Sequence, residues 1–297
     1  MRSVRASMDG YQIEYFDTDP EPLNLHSGKR LGNFVVGKEI GRGGMGTIYL
    51  AEHAAIGRKV AVKFLGKALV SDPVYLDLFL REARSAAHLN HPGIVQVYDA
   101  GSLDPQTHYL MMEFVDGKDL QSILHDCGVL EPRQAVHVIR QAAEALEYAH
   151  QKGFIHRDVK PENLLWLADG SIKICDLGLA KLAGETGLAT QVGSVMGSPL
   201  YMAPERLSES PKIDGRVDVY SLGATFFHLL TGRIPYTGTP PVIMSQHLSG
   251  PLPDPRELVP TLDPSLTSII AKMMAKKPGD RFQTMGQVVQ ALSLVPL

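Results

Sequence analysis

Between His156 and Asn163, eight positions hold a histidine, an arginine, two acids, a lysine and an asparagine, in the stretch "IHRDVKPENLL". A random loop rarely combines these groups. Asp158 has the chemistry of a base that accepts a proton from a hydroxyl nucleophile. Asn163 offers an amide oxygen to a metal. Mg²⁺ prefers hard oxygen donors and keeps several waters, so one or two protein oxygens suffice. Lys160 can offset charge on a group in transfer. Asp176 stands at the end of the strand-patterned "SIKIC", just before Gly178, and makes a second candidate metal ligand. Alone, Asp176-Leu177-Gly178 is only a turn signal.

Two upstream stretches suit phosphate. Gly41-x-Gly43-x-x-Gly46 lies in "IGRGGMGTIYLAEH". A dinucleotide fingerprint needs a helix directly after the glycines. Here Thr47, Ile48 and Tyr49 favour strand instead. A Walker A loop would end in Gly-Lys-Ser/Thr, which is absent. What remains is a glycine-rich hairpin whose tip, at Gly44 and Met45, can lie over phosphates, or a plain turn. Lys63, in "VAVK", alternates into an apolar strand, where an unpaired ammonium is costly. Glu82, in "FLREARSAA", is a candidate partner. The competing reading is a lysine that snorkels to the surface.

These groups need a scaffold. From Phe34 to about Gly117, the β-branched runs "FVVGKEI", "GTIYLAEH" and "KVAVKFL", then "IVQVYDAG" and "HYLMMEFV", read as strands. The second and third form a hairpin around Ile56-Gly57. One helix interrupts them, "PVYLDLFLREARSAAHL", opened by Pro73. After Gly117 the chain turns helical. Val136, Ile139, Ala143, Leu146 and Ala149 recur at helical spacing, and Gly153 ends that helix. "NLLWL" and "SIKIC" are short strands around Ala168-Asp169-Gly170. Residues 176 to about 204 read as a long loop, a length that is usually functional. Further helices follow, and the greasy "VDVYSLGATFFHLL" reads as a buried one. Residues 1–32 read as a flexible N-terminal tail. The expected fold class is α+β: a small β-rich lobe at about 33–116 and a larger, mainly helical lobe at about 117–297.

The 297 residues suffice for two core-bearing lobes. A net charge of −3 gives no electrostatic reason to expect nucleic acid or an anionic membrane as partner. Cys127 and Cys175 make no disulfide framework and fit a reducing compartment. The sequence has neither an apolar run long enough for a membrane span nor a secretory signal at its start. A cytoplasmic location is therefore expected.

Taken in order, Gly41-x-Gly43-x-x-Gly46-x-Ile48, Val60-Ala61-Val62-Lys63, Glu82, His156-Arg157-Asp158 through Asn163, Asp176-Leu177-Gly178 and Ala203-Pro204-Glu205 closely resemble the eukaryotic-type protein kinases. The likeness runs from about Phe34 to the C-terminus. "FLREARSAAHLNHPGIVQVYD" and "VMGSPLYMAPE" look most like bacterial serine/threonine kinases. The resemblance implies a two-lobed kinase fold and transfer of the γ-phosphoryl of ATP to serine or threonine hydroxyls of proteins, with Mg²⁺ or, in its place, Mn²⁺. Lys63 would hold the α- and β-phosphates and pair with Glu82. Asp158 would be the base, with Lys160 beside it, and Asn163 and Asp176 the metal ligands. Ile40, Gly41, Arg42, Gly43, Gly44, Met45 and Gly46 would cover the nucleotide. Ile48, Ala61 and Leu165 would sandwich adenine. Met112 resembles the gatekeeper, and Glu113, Phe114 and Val115 the hinge. Asp119 matches a ribose-contacting position, Asp218 the buried aspartate that anchors the catalytic loop, and Glu205 with Arg281 the pair that braces the large lobe.

Leu177 replaces the usual phenylalanine and Ser198 the usual threonine, and neither change removes a catalytic group. Lys160 points to serine/threonine specificity, and Glu162 could select a basic residue near the target hydroxyl. Arg157, next to Asp158, implies control by phosphorylation of the long loop. The candidate positions are Thr186, Thr190 and Ser194, with Thr190 favoured by its distance before "GSPLYMAPE". Dimers through the small lobe occur in the family. The alternative is a pseudokinase that binds ATP as a scaffold, against which stand Lys63, Asp158, Asn163 and Asp176, all present.

Overall fold

A computed structural model describes residues 26–43, 46–71, 73–176, 199–207 and 213–296, with the backbone of two strands at 4–8 and 11–15. Those two, β1 (Val4–Met8) and β2 (Tyr11–Tyr15), form an antiparallel hairpin. The expected tail thus contains ordered pairing. Its register sets Ala6 against Ile13 and Val4 against Tyr15. The tail also ends before residue 32. β3 (Arg30–Leu31) pairs with β4 (Phe34–Gly43), and Leu31 is buried.

β3 and β4 open a six-stranded antiparallel sheet with β5 (Gly46–His53), β6 (Lys59–Leu65), β7 (Val97–Asp104) and β8 (Thr107–Glu113), in the order β3-β4-β5-β6-β8-β7. Strand alternation decides what each face carries. In β6, Val60, Val62 and Phe64 pack with Val36, Tyr49 and Met111 on one face. Ala61 and Leu65 pack on the other, against Leu110, Met112 and the helix α2 (Pro73–Ala87). Lys63 therefore shares the face of Ala61 and looks toward the helix. In α2, Tyr75, Phe79, Ala83 and Ala86 make the buried stripe, one apolar position every three or four residues. A short α1 (Lys67–Val70) precedes it.

The chain enters the second lobe through β9 (Gly117–Asp119), which pairs with β10 (Leu164–Leu167). β10 in turn pairs with β11 (Ile172–Ile174). Between them run α3 (Leu120–Cys127) and α4 (Pro132–Gln151). The helix Arg216–Thr231 is buried on nearly all sides and forms the axis of this lobe. Its uniform apolarity fits that position, because no face meets water. Helices at Pro240–Ser249, Pro264–Met273 and Met285–Ser293 pack around it and α4. Where the expectation ran as strand from Ile94, the residues Ile94–Gln96 instead make a single parallel bridge, Ile94 to Ile174, that ties the lobes together.

Candidate active site

The glycine motif sits where β4 turns into β5, with Gly43 opposite Gly46. Its glycines have different reasons. Gly46 has φ +147°, and a Cβ there would lie 1.9 Å from the Phe64 carbonyl oxygen. Only glycine can pass β6 so closely. Gly43 has nothing within 4 Å of a Cβ, so its smallness is spent on open space, where a ligand can approach. Arg42 donates to both carboxylate oxygens of Glu39 at 3.1 and 3.0 Å. A bulge between Glu39 and Gly41 brings these two residues to one side of the strand. Ile40 is exposed. The tip, Gly44 and Met45, lies outside the described residues.

The expected partner of Lys63 needs correction. Its ammonium does not pair with Glu82; it donates to both oxygens of Asp176, at 2.8 and 2.9 Å. Lys63 is only 4 % exposed. Helix phase explains the difference. Ala83 faces the sheet, and Glu82 is one residue, about 100°, around the helix from it. There it lines a cavity of about 330 Å³ with Ser85, His88, Lys152, Phe154 and Arg157. The Asp176 carboxylate, partly withdrawn from water, gains from a nearby cation. Burial alone would raise it, but Lys63, with His156 and Lys160, outweighs burial and holds it below the ordinary carboxylate range. Asp176 has a left-handed φ of +55°, a conformation that aspartate tolerates better than most residues. Burial pushes the thiol of neighbouring Cys175 up, so it stays protonated and serves as packing.

Asp158 is held from three directions. Lys160 Nζ lies 2.8 Å from its Oδ2. Asn163 Nδ2 donates to the same oxygen at 3.1 Å and to the Asp158 carbonyl at 2.7 Å. With its amide nitrogen turned to Asp158, Asn163 has its oxygen left as the group a metal can use. The backbone brings the second oxygen donor near, since Cys175 N donates to the Asn163 carbonyl at 3.0 Å. Asn163 and Asp176 are therefore a hard-oxygen pair that fits Mg²⁺ sharing phosphate and water ligands. Among the described residues no three His, Cys, Asp or Glu side chains cluster as a self-sufficient metal site.

His156 joins the two segments. Its Nδ1 accepts from Asp158 N at 3.1 Å, and its Nε2 donates to the Cys175 carbonyl at 3.0 Å. These bonds define a neutral ring with the proton on Nε2. Beneath it, Asp218 is fully buried. It accepts from His156 N at 2.8 Å and Arg157 N at 2.7 Å, and its third bond, 2.8 Å, comes from His150 Nε2. Gly215 leaves room for that imidazole, since a Cβ there would lie 2.6 Å from His150 Nδ1.

His150 was not legible as a functional position, and it carries a pH prediction. Burial alone would lower its imidazole. Asp218, with Glu147 and Asp214, outweighs this and leaves it raised. A raised histidine contributes stability that is fully present below its unfolded value, about 6.5, and lost as pH rises through the folded value. Asp218 is lowered, so its contribution is lost only as pH falls through its own folded value. His150→Gln is therefore expected to cost more stability at pH 6 than at pH 8.5. Urea unfolding of both proteins at the two pH values checks this, and an equal cost would refute it.

Ile48, Ala61, Met112, Val115 and Leu165 share one apolar cluster between the lobes. Met112 pairs with Ala61 across strands β6 and β8. Glu113 ends β8 and accepts from Lys173 at 3.0 Å, a bond with no local signal in either stretch. Phe114 and Val115 follow it in the half-buried segment that joins the lobes. Asp119 pairs with Leu165 across β9 and β10, but its carboxylate is engaged as the cap of α3. It accepts from Ser122 N at 2.8 Å and Ser122 Oγ at 2.6 Å. Thr186, Thr190, Ser194, Leu177, Gly178 and Ser198 lie outside the described residues.

Known proteins are similar to this chain in sequence and fold. The protein kinase domain family matches residues 34–292. Serine/threonine-protein kinase PknB of Mycobacterium tuberculosis is 40% identical over 261 residues, 86% of this chain and 41% of that protein. PknE of the same species is 39% identical over 264 residues, 89% of this chain and 46% of that protein. The chain thus spans less than half the length of these curated relatives. The crystal structure of the M. tuberculosis PknI kinase domain superposes with a TM-score of 0.74 at 30% identity, covering 91% of this chain and 98% of that one.

Proposed function

The chain belongs to the protein kinase family, and from that premise we propose that it is a serine/threonine kinase that transfers the γ-phosphoryl of MgATP to hydroxyls of proteins. The observation that carries this reading is the environment of Asp158. A carboxylate held by Lys160 and Asn163 stands one backbone bond from the segment that bears Asp176. In the reaction, Asp158 accepts the proton of the substrate hydroxyl as the hydroxyl oxygen attacks the γ-phosphorus, and the bond from that phosphorus to the bridging β-phosphate oxygen breaks to release ADP. Lys160 offsets charge on the phosphoryl in transfer. Asn163 and Asp176 would hold Mg²⁺, which when bound neutralises phosphate charge. Lys63 turns from Asp176 toward the α- and β-phosphates. The cluster of Ile48, Ala61, Met112 and Leu165 receives adenine, with Glu113 to Val115 bonding it through the backbone and Asp119 near the ribose. The segment from Ile40 to Gly46 lies over the phosphates.

The complete set of polar groups favours turnover over the scaffold alternative. Lys160 favours serine and threonine over tyrosine, and Glu162 a basic residue near the target. Among the described residues no helix is long and apolar enough to cross a membrane.

Incubation with γ-labelled ATP and Mg²⁺, followed by phosphoamino-acid analysis and peptide mapping, tests the reading. The expected products are phosphoserine and phosphothreonine, with Thr190 the principal site in the chain itself. Label on tyrosine alone would overturn the substrate class. Label absent from Thr186, Thr190 and Ser194 would overturn the proposed control.

A further inference from the structure

Arg157 has a left-handed backbone, φ +68°, immediately before Asp158. For a long side chain that conformation is unfavourable and persists only where its surroundings over-determine it. The peptide groups around it are held accordingly. Its N–H donates to Asp218 Oδ1 at 2.7 Å. Its carbonyl accepts from Arg206 Nη1. The next N–H, that of Asp158, is held by His156. Arg206 lies in the short helix Pro204–Leu207, beside Glu205. Glu205 is itself fixed by two bonds to Arg281. The guanidinium therefore hangs from a rigid point, half-buried, with the Asp158 and Asp218 carboxylates near enough to act on its charge.

We infer that Arg206 is a positioning residue for Asp158. By holding the Arg157 carbonyl while Asp218 holds the Arg157 amide, it keeps the left-handed turn that aims the base. The inference rests on the assignment of Asp158 made above. It also gives the end of the long loop, at Ala203-Pro204-Glu205, a direct mechanical hold on the catalytic segment. A bond from a guanidinium to a carbonyl is a single point contact rather than a planar fork. A lysine can therefore replace it in part, while a methionine of similar length cannot.

The test uses Arg206→Met and Arg206→Lys in the whole chain, with two readouts. Steady-state kinetics should show kcat reduced about 10- to 100-fold in the methionine variant, the scale expected when a reacting group is slightly misplaced. KM for ATP should stay close to wild type, and the lysine variant should recover much of kcat. Hydrogen exchange should quicken in residues 155–160 of the methionine variant and stay unchanged in the helix Arg216–Thr231. Should the methionine variant fail to fold, Arg206→Leu, which likewise has no donor, takes its place against lysine. The inference is overturned if the methionine or leucine variant keeps wild-type kcat and exchange, or if lysine recovers neither. The exchange readout needs no turnover, so it judges the Arg206 contact even if Asp158→Asn retains activity and the base assignment itself fails.

Discussion

Asp158→Asn should lower kcat for phosphoryl transfer by about 100- to 10,000-fold, the range that a positioned general base supplies. The substitution keeps the size of the side chain and one oxygen that Lys160 and Asn163 can still reach, at the present 2.8 and 3.1 Å. What it loses is the capacity to take a proton. The loss should therefore fall on kcat and kcat/KM alike, the mark of an interaction made in the transition state. KM for ATP should change little, because the proposed nucleotide contacts, the apolar cluster and Lys63, are untouched by the substitution. The thermal midpoint should stay near wild type, since His156 and Asp218 still anchor the loop. A variant that loses activity together with its fold would show instead that Asp158 is structural. Steady-state kinetics and calorimetry on one preparation separate the two.

Arg281→Ala should destabilise the protein by about 3–5 kcal/mol, the scale seen when one member of a buried ion pair is removed. All five N–H donors of Arg281 are used. Two reach Glu205 at 2.7 Å each, and the others reach the carbonyls of Ala275, Arg216 and Lys276 at 2.7, 2.8 and 3.0 Å. The group is 2 % exposed and lies over the Tyr220 ring, 4.9 Å from its centre. Removing it takes two bonds from the Glu205 carboxylate and one from each of three carbonyls at once. Domains are stable by only about 5–15 kcal/mol, so much of the folded population is at stake. Replacing both partners, as Glu205→Leu with Arg281→Met, should cost less than Arg281→Ala alone, because no charge is then left buried. Urea unfolding of the three proteins measures this. A loss under about 1 kcal/mol for Arg281→Ala, the scale of an exposed pair, would contradict the account.

What could be read from the sequence follows the range of each interaction. The strands β5 and β6 have the limits their β-branched runs indicated, because alternation is local and each face is set by neighbours two residues away. Val60, Val62 and Phe64 on one side and Ala61 and Leu65 on the other are that pattern in space. The short α3 was only part of a generally helical stretch, although Asp119 with Ser122 carries a cap signal. Partner choice was harder. Lys63 plainly required an anion, yet two acids were available, 19 and 113 residues away, and the phase of α2 decided for Asp176. His150 and Arg206 gave no local sign at all. One is a histidine near a helix end, the other an arginine after a motif. Their work appears only when Asp218 and the Arg157 peptide are brought against them.

The central claim is that Asp158 takes the proton while a phosphoryl group passes from ATP to a hydroxyl. Its most direct test is a single-turnover experiment with γ-labelled ATP and Mg²⁺, comparing wild type with Asp158→Asn at matched nucleotide occupancy. Label is expected to move from ATP to serine and threonine in the wild type and to remain on ATP in the variant. Equal transfer by the two proteins would contradict it.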